Sequence, residues 1–211
     1  MKKTLWTKNF TLVTAASALG AVGGIAGGFA LSFLVFDETG STLASALILA
    51  IQLVPFFVLP LFLAPVMDRL PRKPFLVAGD LIDGVLYALM GLYLLKFEFS
   101  YAAYLGYSLL LACLESFDEL AFQSIYPKLI PEGMEQQGYA VSTTLYPILR
   151  VLMLPLAGVL LDAVGAAWIL IGQGGLSLLA ALIESNIDIT EHRRGGGGCP
   201  RRWVLHHQRL G

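Results

Sequence analysis

The chain has 211 residues, of which 56% are hydrophobic and only 14% charged, with a formal net charge of −1. Soluble globular chains carry about a quarter charged residues, so an ordinary water-soluble domain is excluded and an integral membrane protein is expected. The near-neutral balance forms no basic stripe and gives nucleic acid no purchase.

The apolar residues fall into blocks of about the ~20 residues a helix needs to cross a ~30 Å hydrocarbon core. Six spans are predicted, at about residues 10–36, 43–67, 75–95, 100–122, 141–161 and 166–183. Lys2, Lys3 and Lys8 precede the first. It outruns the 7 to 15 residue apolar core of a secretory signal and is expected to be retained as a span. Within it Gly20, Gly24 and Gly28 recur at four-residue spacing, with Gly23 and Gly27 beside them. Such a stripe is read either as a surface for close helix packing or as the wall of a cavity.

The second span holds Gln52, Pro55 and Pro60, and the fifth holds Pro147 and Pro155; the prolines are expected to kink their helices. Intramembrane ionisable residues are costly, about 2.5 to 3.5 kcal/mol each at the bilayer centre, and mark functional positions. Asp80 and Asp83 lie in the third span, two turns or so from its start. Glu115, Asp118 and Glu119 in the fourth are spaced to share a helical face. At 1.5 Å per residue, Glu115 lies ~21 Å and Glu119 ~27 Å along the fourth helix from Tyr101. Arg150, ~14 Å into the fifth helix, is the single base deep in any span, and a Glu115 to Arg150 ion pair is expected. Gln52, Tyr87, Arg150 and Gln173 are the polar residues expected on a cavity wall, with Gly24 and Gly28 giving it room.

Orientation follows from the Lys and Arg distribution. Three bases lie at the amino terminus, three in the second connection, Lys128 in the fourth, and Arg193 and Arg194 beyond the last span, whereas the alternate connections hold only Lys96. The positive-inside rule then predicts both termini in the cytoplasm of a multi-pass protein of the cell membrane.

Cys113 and Cys199 differ too much in expected depth for a disulfide framework, and Cys113 is read as packing. The histidines are confined to His192, His206 and His207. No nucleophile elbow and no His-Glu-x-x-His occurs, so no enzyme, catalytic residue, metal site or cofactor is expected.

Near the end of the second span lies Leu63-Ala64-Pro65-Val66-Met67-Asp68, and near the end of the fifth Leu156-Ala157-Gly158-Val159-Leu160-Leu161-Asp162. Secondary transporters are often built from inverted three-helix repeats that make the second and fifth spans equivalent. The echo falls on that pair.

Between the second and third spans runs Ala64-Pro65-Val66-Met67-Asp68-Arg69-Leu70-Pro71-Arg72-Lys73-Pro74. This loop resembles the signature loop of the major facilitator superfamily, Gly-x-x-x-Asp-Arg-x-Gly-Arg-Arg/Lys. Asp68, Arg69, Arg72 and Lys73 match it, while Ala64 and Pro71 replace glycines. Asp37-Glu38-Thr39-Gly40-Ser41 joins the first two spans as in many drug-exporter-like members. The segment from Arg150 to Gly158 is similar to the fifth-helix motif of exporting members, with Leu154 and Val159 replacing glycines. The run as a whole looks most like bacterial macrolide-efflux and siderophore-efflux exporters.

The resemblance implies an all-α integral membrane fold, six transmembrane helices arranged as two inverted three-helix repeats, or half of the superfamily fold. It implies a secondary carrier of the efflux type for a small molecule. For the loop it implies a gating role, an ion-pair latch across helices two, three and four. A buried carboxylate among acidic neighbours, Glu115 by preference, is expected to exchange a coupling proton. Superfamily members usually have two such halves, so a missing carboxyl-terminal half or a second copy is the expected partner, beside the bilayer and a substrate. After Glu191 the composition changes to a basic, Gly-rich tail, residues 192–211, expected to be disordered and to resemble out-of-frame sequence. The alternative is a six-helix membrane scaffold that binds a partner without moving solute; it would have a closed interior.

Overall fold

The computed structural model describes residues 4–67 and 72–187. They form α1 (Lys8–Thr39), α2 (Thr42–Met67), α3 (Arg72–Lys96), α4 (Tyr101–Leu129), α5 (Glu135–Val164) and α6 (Ala166–Ser185). Five of the expected spans lie within one helix each, and the fourth begins one residue before α4, at its N-cap Ser100. The largest differences are at the end of α4 and the start of α5, which continue the helix beyond the apolar stretch by several residues. Backbone hydrogen bonding, unlike hydropathy, does not stop at the interface.

Local chemistry sets the connections. The Thr7 hydroxyl accepts from the Phe10 amide at 3.3 Å and opens α1. Gly40, at φ 63°, closes it by donating to the Phe36 carbonyl at 2.8 Å. The Ser41 hydroxyl then accepts from the Ala44 amide and starts α2, which leaves only two residues between the helices. Pro147 and Pro155 both lie inside a continuous α5.

The most extensive pairing is α3 with α6, followed by α1 with α6, α2 with α4, α1 with α5, and α3 with α4. Glycine explains the first. A Cβ on Gly84 would stand 2.9 Å from the Gly174 carbonyl oxygen, and one on Gly174 would stand 2.5 Å from that of Gly84. In lipid, where apolar burial drives helices together only weakly, such backbone contact is what association rests on.

The outward surface is apolar. Phe57, Leu61 and Phe62 of α2 are 68%, 76% and 70% exposed, and Val151, Leu152 and Val159 of α5 are 73%, 63% and 65% exposed. No water-soluble protein presents such a surface, whereas a bilayer accepts it. Aromatic residues gather at both ends of the bundle: Trp6, Phe10, Tyr126 and Tyr139 at one, Tyr93, Phe97, Phe99 and Tyr104 at the other. This is the pattern of interfacial belts.

Six spans are expected, and five of the six helices are long and apolar enough to cross a membrane. The exception is α4, with 29 residues. Its length suffices; Glu115, Asp118 and Glu119, together with tyrosines at four positions, lower its apolarity. Those carboxylates line the cavity inside the bundle, so the polarity of α4 belongs to one face.

Candidate functional site

A cavity of about 1520 Å³ lies among the six helices, larger than the ~300 to 1,000 Å³ of ordinary small-molecule sites. One face of each helix supplies it. On α3 the lining residues Leu76, Asp80, Asp83 and Tyr87 recur at helical spacing, as do Glu115, Asp118, Phe122 and Tyr126 on α4 and Gln173, Ser177 and Glu184 on α6. Gln52 of α2 and Arg150 of α5 stand on the same wall.

The glycine stripe of α1 divides by face. A Cβ on Gly20, Gly24 or Gly28 meets nothing within 4 Å, and all three line the cavity. A Cβ on Gly23 would collide with the side-chain amide of Gln173. The neighbouring register thus makes the close packing against α6, while the Gly24 register stays open.

At the middle of the cavity the Tyr87 hydroxyl donates to Glu115 Oε1 at 3.3 Å, linking α3 to α4. Glu115 and Asp80 are the charged neighbours of Asp83. The expected Glu115 to Arg150 pair does not form. Glu115 is held by a phenol instead, and Arg150 is solvent-accessible on the opposite wall. Matching depth along two helices does not bring side chains together when a wide cavity separates the helices.

Toward the end where α3 begins, Asp118 has Asp80, Glu184, Asp83 and Glu119 as charged neighbours. It packs against the α3 backbone at Gly79, where a Cβ would stand 2.5 Å from Asp118 Oδ1. Glu119 accepts from Gln123 at 2.7 Å. Asp83 Oδ1, Asp118 Oδ1 and Glu184 Oε2 are buried without a hydrogen-bond partner. Among the described lining residues there are six carboxylates, Asp80, Asp83, Glu115, Asp118, Glu119 and Glu184, against one base, Arg150. The wall is rich in carboxyl groups and poor in bases.

Of the loop residues, Asp68 and Arg69 lie outside the described residues, as do the Arg72 side chain and the tail from 192. Lys73, on the first turn of α3, donates to the Ser185 carbonyl at 2.9 Å and so ties the end of α6. Cys113 is half-buried and free. Sequence reasoning missed Glu184, one residue past the expected sixth span, and Ser177. The signal was present: Gln173, Ser177 and Glu184 share a face at spacings of four and seven.

Residues 4–193 match the model of a major facilitator family described as transmembrane secretion effector. No curated relative and no solved structure matches the chain.

Proposed function

Because the chain belongs to the transmembrane secretion effector family of the major facilitator superfamily, we propose that it is a multi-pass secondary transporter bundle that exports a small molecule in exchange for protons. The observation that carries this reading is the large, acid-lined cavity inside a bundle whose outer surface is apolar. A scaffold with a closed interior has no use for six carboxylates around an internal space, each of which is costly to hold in a membrane.

The helix pairing supports an inverted repeat. Exchanging α1 with α4, α2 with α5 and α3 with α6 turns the α1 with α6 pairing into α4 with α3, and α2 with α4 into α5 with α1; all four are substantial. The central pairing of α3 with α6 maps onto itself. On this reading the bundle is one half of the transport unit, completed by a second half or a second copy. Both termini and the α2–α3 connection face the cytoplasm by the charge rule, and the loop bases Arg69, Arg72 and Lys73 act as a gate there. No metal or cofactor enters the mechanism.

Glu115 is the residue assigned to proton exchange. It is open to the cavity, deep in the bundle, and its hydrogen-bond partner Tyr87 can reorient when the carboxylate takes up a proton. The test is transport of a fluorescent amphiphile in liposomes bearing an imposed pH gradient. Gradient-driven flux, uncoupled from proton movement by Glu115→Gln, supports the reading; flux and coupling untouched by that change would remove Glu115 from it.

A further inference from the structure

The end of the cavity where α3 and α4 meet α6 holds a group that proton exchange at Glu115 does not use. Glu184 is 4% exposed, yet it lines the cavity and its Oε2 has no hydrogen-bond partner. Asp118 Oδ1 is likewise unpartnered. Buried polar atoms are nearly always hydrogen-bonded, and a buried carboxylate without compensation is costly. Three helices converge to hold these acids together, with Asp80 the charged neighbour of both Glu184 and Asp118.

The chemistry of the place narrows what complements it. Asp83 and Glu119 stand beside the group, Glu115 lies further along the cavity, Lys73 has its ammonium on the Ser185 carbonyl, and Arg150 comes from α5. Carboxyl groups outnumber bases here, so an anion finds no complement among them, whereas a cation does. Among the described residues no three acidic, histidine or cysteine side chains converge tightly enough to hold a metal ion. A charge spread over a larger body suits dispersed carboxylates better than a compact ion does. The rings of Phe122 and Tyr126 line the same end one and two turns beyond Asp118, and aromatic faces attract such cations.

We propose that Asp80, Asp118 and Glu184 form a subsite for the charged group of a lipophilic monovalent organic cation. The proposal rests on the transport reading and names the charge class of its cargo. The carboxylates recognise the cation, and the apolar and aromatic wall takes its hydrophobic body.

Equilibrium dialysis of the full chain in detergent, corrected with empty micelles, tests this with two ions of the same shape: tetraphenylphosphonium and tetraphenylborate. The cation is expected to bind at least about tenfold tighter than the anion, given the size of charge interactions in a partly desolvated site. Glu184→Gln and Asp118→Asn are each expected to reduce cation binding about tenfold, while Asp162→Asn, at the exposed end of α5, leaves it unchanged. Equal binding of the two ions by the unaltered chain overturns the proposal whatever the variants do. So does undiminished cation binding by a Glu184→Gln protein that is monodisperse and as helical as the original. Flux of the same ions into liposomes separates the two readings: cation-selective binding without any flux counts against transport alone, and flux without charge preference counts against the subsite alone.

Discussion

The phenol of Tyr87 on α3 donates to the carboxylate of Glu115 on α4 across 3.3 Å, and this bond takes the place of the ion pair that helix depth alone suggests between Glu115 and Arg150. A hydroxyl is a weaker and more easily broken partner than a guanidinium. The acid is therefore positioned without being permanently neutralised.

Tyr87→Phe keeps the ring and removes the donor. The expected loss is about 0.5 to 1.5 kcal/mol, the range for an ordinary hydrogen bond, read as a lowered unfolding midpoint in detergent. An unchanged midpoint would mean that the Tyr87 hydroxyl contributes nothing to joining α3 and α4.

Arg150 is accessible and makes no pair with Glu115. Arg150→Ala should therefore alter stability by no more than ~0.5 kcal/mol, as at an unpartnered surface position. A loss of about 3 to 5 kcal/mol, typical of breaking a buried pair, would show that the two residues do meet.

The crossing of α3 and α6 leaves no space at Gly174, where a Cβ would stand 2.5 Å from the Gly84 carbonyl oxygen. Gly174→Val is expected to destabilise by roughly 1 to 3 kcal/mol or more through overpacking. Gly24→Val, on the open face of α1, should have a far smaller effect on stability and should reduce transport by narrowing the cavity. Comparing unfolding midpoints with flux for the two variants checks both halves of this statement.

Much of the bundle was legible from hydropathy because lipid demands continuous apolar helices, and each expected span matches one observed helix, with at most one residue outside it. Glycine spacing was legible only in part. The repeat at Gly20, Gly24 and Gly28 announces a smooth face, but whether that face packs or stays open depends on where α6 lies, and there Gly23 meets Gln173. Glu115, Asp118, Asp80 and Asp83 were visible as costly intramembrane acids. Glu184 was not, because it follows the apolar block by one residue and reads as an interfacial charge until α6 is seen to carry it back against Asp80. The failure of the Glu115 to Arg150 pair has the same origin: sequence gives depth along a helix, and not the width of the space between helices.

Transport through the bundle requires this space to be a water-accessible, acid-lined cavity inside an apolar shell. On a cysteine-free background in liposomes, Gly24→Cys and Leu152→Cys can be treated with a membrane-impermeant maleimide applied to both sides. Neither position is sterically blocked: Gly24 has open space beside it and Leu152 is 63% exposed. Rapid labelling is expected at residue 24, which faces the cavity, and protection at residue 152, which faces lipid. Protection at 24, or equal labelling at the two positions, would mean that the bundle holds no water-accessible cavity inside an apolar shell.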